Sequence, residues 1–118
     1  MIFDLGGRTA IISGSTGGIG LAIARGLARA HADVVIAGRS QKSVDAALAE
    51  LRAQGGRGQV QGVVADLGTA AGAEILFAAH PKTDILVNNL GIYDDVDFFK
   101  VADSEWTRFY ETNVLSGV

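Results

Sequence analysis

The run Gly14-Ser15-Thr16-Gly17-Gly18-Ile19-Gly20 combines missing side chains with small hydroxyls, directly after an apolar stretch that ends at Ser13. Glycines let a backbone turn sharply and come close to an anion. A helix that starts just after them adds free N–H groups and the positive end of its dipole. The chemistry this favours is the binding of a pyrophosphate. The common dinucleotide spacing, with glycines at the first, third and sixth positions, is absent, because Gly14, Gly18 and Gly20 read Gly-xxx-Gly-x-Gly. A flexible turn ahead of a helix is the bland alternative, and the position directly after a strand favours the anion site over it.

About twenty residues past such glycines, the second strand should end on a residue that reads the cofactor ribose: a carboxylate for NAD, an arginine for the 2′-phosphate of NADP. The segment reads Val34-Val35-Ile36-Ala37-Gly38-Arg39-Ser40, with Arg39 present and no carboxylate. NADP(H) is therefore expected over NAD(H). A charge-assisted bond from Arg39 is worth about 1.5–3 kcal/mol, or roughly ten- to a hundredfold in preference. The competing reading is an arginine simply solvated at a strand end.

These residues resemble the short-chain dehydrogenase/reductase family, whose glycine motif is Thr-Gly-xxx-Gly-x-Gly; Ser13 stands where the family has its Thr. The resemblance continues with Ala65-Asp66-Leu67 and with Asn88-Asn89-Leu90-Gly91, and it covers the whole chain. It implies that Gly14, Gly18, Ile19 and Gly20 hold the pyrophosphate, with Ser13, Ser15 and Thr16 cofactor-binding residues of the same loop. Arg39 with Ser40 would meet the 2′-phosphate, Asp66 with Leu67 the adenine, and Asn89, Leu90 and Gly91 the ribose side. Two departures stand out. Leu90 replaces the usual Ala and is expected to narrow the space beside the ribose, and Gly17 occupies a position that is basic in many NADP-preferring members.

Near the end of the chain, Trp106, Phe109, Tyr110, Asn113 and Val114 recur at helical spacing and share one apolar face. A buried amide without partners costs about 1–3 kcal/mol, so Asn113 should be hydrogen-bonded or order a water. The resemblance implies a role for Asn113 in the proton relay of the active site; an amide tying the helix to the sheet is the alternative. Carbonyl reduction also needs a proton donor, for which the family uses Tyr-xxx-Lys and an upstream Ser, the Lys charge lowering the Tyr pKa. Here Tyr93 is followed four residues later by Asp97 and Tyr110 by Val114. The expected function is thus the cofactor-binding part of an NADP-preferring oxidoreductase that passes hydride between a nicotinamide and an alcohol or ketone. The alternatives are a non-catalytic dinucleotide-binding module and an inactive truncated remnant.

Positioning these residues requires strands near 8–13, 33–37, 59–65 and 83–88, alternating with helices near 18–31, 40–54, 69–80 and 103–118. Ser40 can cap the second helix and Gly55 stop it. The fold expected is an α/β, Rossmann-type three-layer sandwich with a parallel sheet in the order 3-2-1-4. It is expected to form one domain over 1–118, incomplete because the last helix ends at Leu115-Ser116-Gly117-Val118 without a convincing cap and no strand follows; the resemblance implies three further strands, without which the fourth is an open edge. Only Gly55-Gly56-Arg57-Gly58 looks loose.

Composition narrows the partners. With 10 Lys+Arg against 13 Asp+Glu the net charge is −3, of the wrong sign for a nucleic-acid binder. The basic groups concentrate in the first half, where an anion would be held. The chain has no cysteine, which excludes thiol chemistry and cysteine-based metal sites. The uncharged stretch from Thr9 to Ala24 is too short and too glycine-broken to span a bilayer, and the start lacks a secretory pattern, so a cytoplasmic location is expected. A small-molecule substrate is expected. The resemblance implies a homo-oligomer pairing through the helix that begins near Asp103, where Trp106 and Phe109 serve either the pairing or the core. Asp94, Asp95 and Asp97 lack calcium-loop spacing, so no metal is expected, and His31 and His80 fall at helix C-termini, where structural roles are expected.

Overall fold

The computed structural model describes residues 3–118. Strands β1 (Thr9–Ile12), β2 (Asp33–Gly38), β3 (Val60–Val64) and β4 (Ile85–Val87) alternate with helices α1 (Gly18–Arg29), α2 (Gln41–Ala53), α3 (Ala70–Ala79) and α4 (Asp103–Asn113). The strands form one parallel sheet, as the alternation predicts, in the order β3-β2-β1-β4 expected of the Rossmann-type fold.

β1 and β2 sit in the middle of the sheet, and their apolar residues are buried on both faces, the pattern of a sheet covered by helices on either side. Successive residues point to opposite faces, which splits the core in two. Ala10, Ile12, Val34 and Ile36 pack with Ala24 and Ala28 of α1 and with Val44, Leu48 and Leu51 of α2. Ile11, Val35 and Ala37 pack on the other face with Val63, Ala65 and Leu67, and Leu76 of α3 rests against them.

Local signals explain where the helices stop. Ser40 caps α2, its Oγ accepting from the Ser43 N–H at 3.2 Å, and Gly55 follows in the left-handed region at φ +77°. α1 ends differently: the Ala32 N–H donates to the Leu27 carbonyl and the His31 N–H to that of Ala28, with His31 itself at φ +71°. α4 stops at Asn113 rather than continuing to 118. Val114 breaks the geometry, Leu115–Gly117 closes a short 3₁₀ turn, and the Ser116 hydroxyl donates back to the Thr112 carbonyl.

The two layers are unequal. α1 and α2 bury four residues each, whereas α3 buries only Gly72 and α4 none. β4 pairs with β1 on one side, and its other edge has no neighbour among the described residues. The face drawn by Trp106, Phe109, Tyr110, Asn113 and Val114 is not core: Trp106 and Tyr110 are more than half exposed.

Candidate functional site

The parallel register brings the C-terminal ends of all four strands to one edge of the sheet, so that Ser13, Arg39, Asp66 and Asn89 emerge there together. This is where an open parallel sheet offers a crevice.

The glycine loop is built from two left-handed glycines and a buried serine. Gly14 and Gly18 adopt φ of +58° and +55°, conformations that favour glycine. Between them Ser15 is fully buried. Its hydroxyl donates to the Ile12 carbonyl at 2.6 Å and accepts from the Ala37 N–H at 3.0 Å, pinning the loop to β2. The sequence reading put Ser15 among the ligand contacts; its side chain lies inside the protein, where a ligand cannot reach it. Gly17 caps α1 without a side chain, and the amides of Gly18, Ile19 and Gly20 find no acceptor among the described residues. Nothing lies within 4 Å of where a Gly18 Cβ would project, and Ile19 stands 75% exposed on the same turn. Gly20 is needed for the opposite reason, since a Cβ there would come within 2.4 Å of the Gly14 carbonyl and 2.5 Å of Asn89 Nδ2.

A second tie holds the loop to the end of β4. The Ser13 hydroxyl accepts from the backbone N–H groups of Asn89 and Leu90 at 2.9 and 3.0 Å, while Asn89 Nδ2 donates to the carbonyls of Ser13 and Gly14 at 3.3 and 3.1 Å. Ser13 and Asn89 therefore act as a clamp between the first and fourth strands. Leu90 packs against the core and its backbone closes over Gly14, with its Cα 3.2 Å from a Cβ built there.

Arg39 is exposed and makes no ion pair or hydrogen bond among the described residues. Asp66 is also exposed; its Oδ1 accepts from the Gly68 N–H at 3.0 Å, and its carbonyl accepts from Thr69, the N-cap of α3. Together with Leu90, Gly91, Arg108 and Thr112 they line a cleft of about 250 Å³. Arg108 and Thr112 were not singled out from the sequence, although their spacing with Glu111 puts all three on one helix face. Glu105 hydrogen-bonds Arg108, and this holds the Glu105 carboxyl below its ordinary pKa.

Asn113 is exposed rather than buried, which corrects the sequence reading. Its Oδ1 accepts from the Ile92 N–H at 2.7 Å and its Nδ2 donates to the Ile92 carbonyl at 3.1 Å. Both ends of the amide are thereby occupied in holding α4 to the segment after β4. Asp94, Asp95 and Asp97 lie exposed in that segment, and no group of three metal-ligating side chains occurs among the described residues. No helix among them is long and apolar enough to cross a membrane.

A parallel 3-2-1-4 sheet with a glycine turn opening its first helix defines a Rossmann-like protein. The short-chain dehydrogenase model matches residues 8–118, and the chain belongs to that family. It is 46% identical over its full length to the uncharacterized oxidoreductase YvaG of Bacillus subtilis, of which it covers 45%. Among solved structures, L-sorbose reductase from Gluconobacter frateurii, complexed with NADPH and L-sorbose, superposes with a TM-score of 0.89 at 30% identity, over 99% of this chain and 46% of that one. RhlG of Pseudomonas aeruginosa, in complex with NADP, does so with a TM-score of 0.85 at 34% identity, over 98% of this chain and 46% of that one. The chain thus spans about half the length of the relatives it matches.

Proposed function

We propose that this chain is the N-terminal, cofactor-binding half of an NADP(H)-dependent oxidoreductase that acts on the alcohol or ketone group of a small molecule. The nicotinamide cofactor supplies the hydride when bound. The observation that carries the reading is the pairing of two unsatisfied features at one sheet edge: α1 amides with no acceptor, and an Arg39 guanidinium with no carboxylate. The first suits a pyrophosphate and the second a ribose 2′-phosphate.

In this reading Gly14, Gly18, Ile19 and Gly20 present backbone to the pyrophosphate, with Thr16 at the loop margin. Arg39 and the α2 N-terminus at Ser40 attract the 2′-phosphate, and Asp66 and Leu67 border the adenine. Leu90 and Gly91 border the ribose. Ser13, Ser15 and Asn89 contribute by keeping the loop rigid, so that little order has to be imposed when the cofactor arrives. Asn113 fixes the Ile92 backbone at the far end of the same edge. NADP in the RhlG complex and NADPH in that of L-sorbose reductase support the cofactor class.

The test is calorimetric titration of the chain with NADPH and NADH. NADPH should bind roughly ten- to a hundredfold more tightly, and Arg39→Ser should erase that preference while leaving NADH binding unchanged. Equal affinities for the parent chain would remove Arg39 from the reading. Absence of binding by either dinucleotide would overturn it altogether.

A further inference from the structure

Helix α3 carries one charge, Glu74, in its ten residues, and the others are alanines, a glycine, Ile75, Leu76 and Phe77. A helix that is apolar around its whole circumference belongs in an interior. Yet only Gly72 is buried and Leu76 half-buried; the rest of α3 is exposed, Ile75 by 52% and Phe77 by 69%. The helix is nonetheless firmly seated. Thr69 caps it, and a Cβ at Gly72 would run into the Asp66 carbonyl.

The two flanks of α3 face different surroundings. Ala70 and Ala73 line a groove of about 570 Å³ with Leu115 and Val118, and Phe77, one turn beyond Ala73, continues that flank. Any residues following Val118 would start from there. Ala79 instead lines a hollow of about 280 Å³ with Gln59 and Gln61, beside and within β3. Ile75 and Ala71 lie one and two turns before Ala79, on the same flank. Because β3 and β4 are opposite edges of the sheet, this second flank faces away from the end of the chain.

Charge and area point to what covers it. With a net charge of −3, two copies repel over much of their surface. The flank of Ala71, Ile75 and Ala79 is uncharged, its neighbours Gln59 and Gln61 are neutral, and the two charges in the hollow, Asp33 and Lys82, are of opposite sign. The chain exposes 7577 Å², about 1,500 Å² more than a folded chain of its size. A standard interface takes about 800 Å² from each partner.

We propose that the β3-side flank of α3 is an isologous interface with a second copy of this chain. Antiparallel packing about a two-fold axis at Ile75 sets Ala71 of each copy against Ala79 of the other, residues small enough for close approach of the helices. It also places the positive end of each helix beside the free carbonyls that end the other. The surface is distinct from the face of α4 that carries Trp106, and it does not depend on the dinucleotide reading.

Sedimentation equilibrium of the full chain tests this. The parent should behave as a dimer. Ile75→Asp sets two carboxylates against each other on the axis and should raise the dissociation constant roughly a hundredfold or more. Phe77→Asp and Trp106→Asp should leave it unchanged. Since Ile75 is exposed, its aspartate variant should keep the circular dichroism spectrum of the parent. If it does not, Ile75→Cys decides: the chain has no cysteine, and a residue on a two-fold axis meets its own copy. Mild oxidation should then join two chains through position 75, while Phe77→Cys stays unlinked. A parent that is monomeric at every concentration, a folded Ile75→Asp as dimeric as the parent, or an Ile75→Cys that does not cross-link would overturn the inference. Loss of the dimer in Trp106→Asp alone would place the pairing on α4 and overturn it as well.

Discussion

Ser13 and Asn89 are 76 residues apart in sequence and grip one another twice: the Ser13 hydroxyl accepts the Asn89 N–H at 2.9 Å, and Asn89 Nδ2 donates to the Ser13 carbonyl at 3.3 Å. The pair closes β1 onto β4 just where the glycine loop begins. Because Ser13 is 7% exposed, water cannot replace its oxygen. Ser13→Ala leaves the Asn89 and Leu90 N–H groups without an acceptor and should cost about 1–3 kcal/mol, read as a lower urea midpoint with an unchanged slope. An unchanged midpoint would mean that the clamp contributes nothing.

Gly20 and Gly18 separate packing from conformation. Gly20→Ala forces a methyl against the Gly14 carbonyl and the Asn89 amide, both fixed by the clamp, so it should destabilise the chain by about 1–3 kcal/mol and weaken dinucleotide binding. Gly18→Ala meets nothing inside the protein, and its cost is the left-handed backbone, about 1–2 kcal/mol. Its methyl would stand in open space on the same turn as the free α1 amides, so its effect on NADPH affinity should exceed its effect on stability. Parallel melting and titration series check this, and equal proportions in the two variants would count against it.

The element sequence and the cap at Ser40 were legible because each rests on local chemistry: β-branched runs, a hydroxyl at a helix start, a glycine at its stop; the sheet order, which joins strands far apart in sequence, followed only from the fold that the resemblance implies. The glycine loop was legible for the same local reason. The Ser13–Asn89 clamp and the burial of Ser15 were not, since both depend on contacts across strands far apart in sequence. Asn113 shows a subtler failure. Helical spacing put it on the apolar face of α4, and it does occupy that face, but periodicity cannot say whether anything covers it. The structure leaves the face exposed and gives the amide a different task at Ile92.

Asp4 anchors the loop around Arg57 from the start of the chain. The Gly6 N–H, donating to Oδ1 at 2.9 Å, and then the Arg57 guanidinium hold its carboxyl below the ordinary 3.8. A depressed carboxylate pKa contributes stability that is present above the ordinary value and disappears as pH falls through the folded one. Asp4→Asn should therefore lower Tm slightly at neutral pH and flatten its decline between about pH 5 and 3. Thermal melts of both proteins across that range test this. Parallel curves would show that Asp4 is uncoupled from folding.

His31 is the one described non-glycine residue in the left-handed region, at φ +71°. Its place as the residue past the α1 terminus requires that conformation, since the bonds from His31 to Ala28 and from Ala32 to Leu27 both depend on it. Histidine meets a steric penalty there that glycine avoids, whereas glycine loses more freedom on folding. The Arg57 N–H also donates to His31 Nδ1 at 3.3 Å, an exposed and long bond whose loss is minor. His31→Gly should therefore gain about 0.5 kcal/mol, or roughly 2 °C in Tm for a chain of this size. His31→Val, β-branched and equally unable to make the Nδ1 contact, should lose about 1 kcal/mol or more. A melt series ordered Gly above His above Val assigns the strain to the backbone, whereas Gly and Val falling together below His would assign the stability to the imidazole contact.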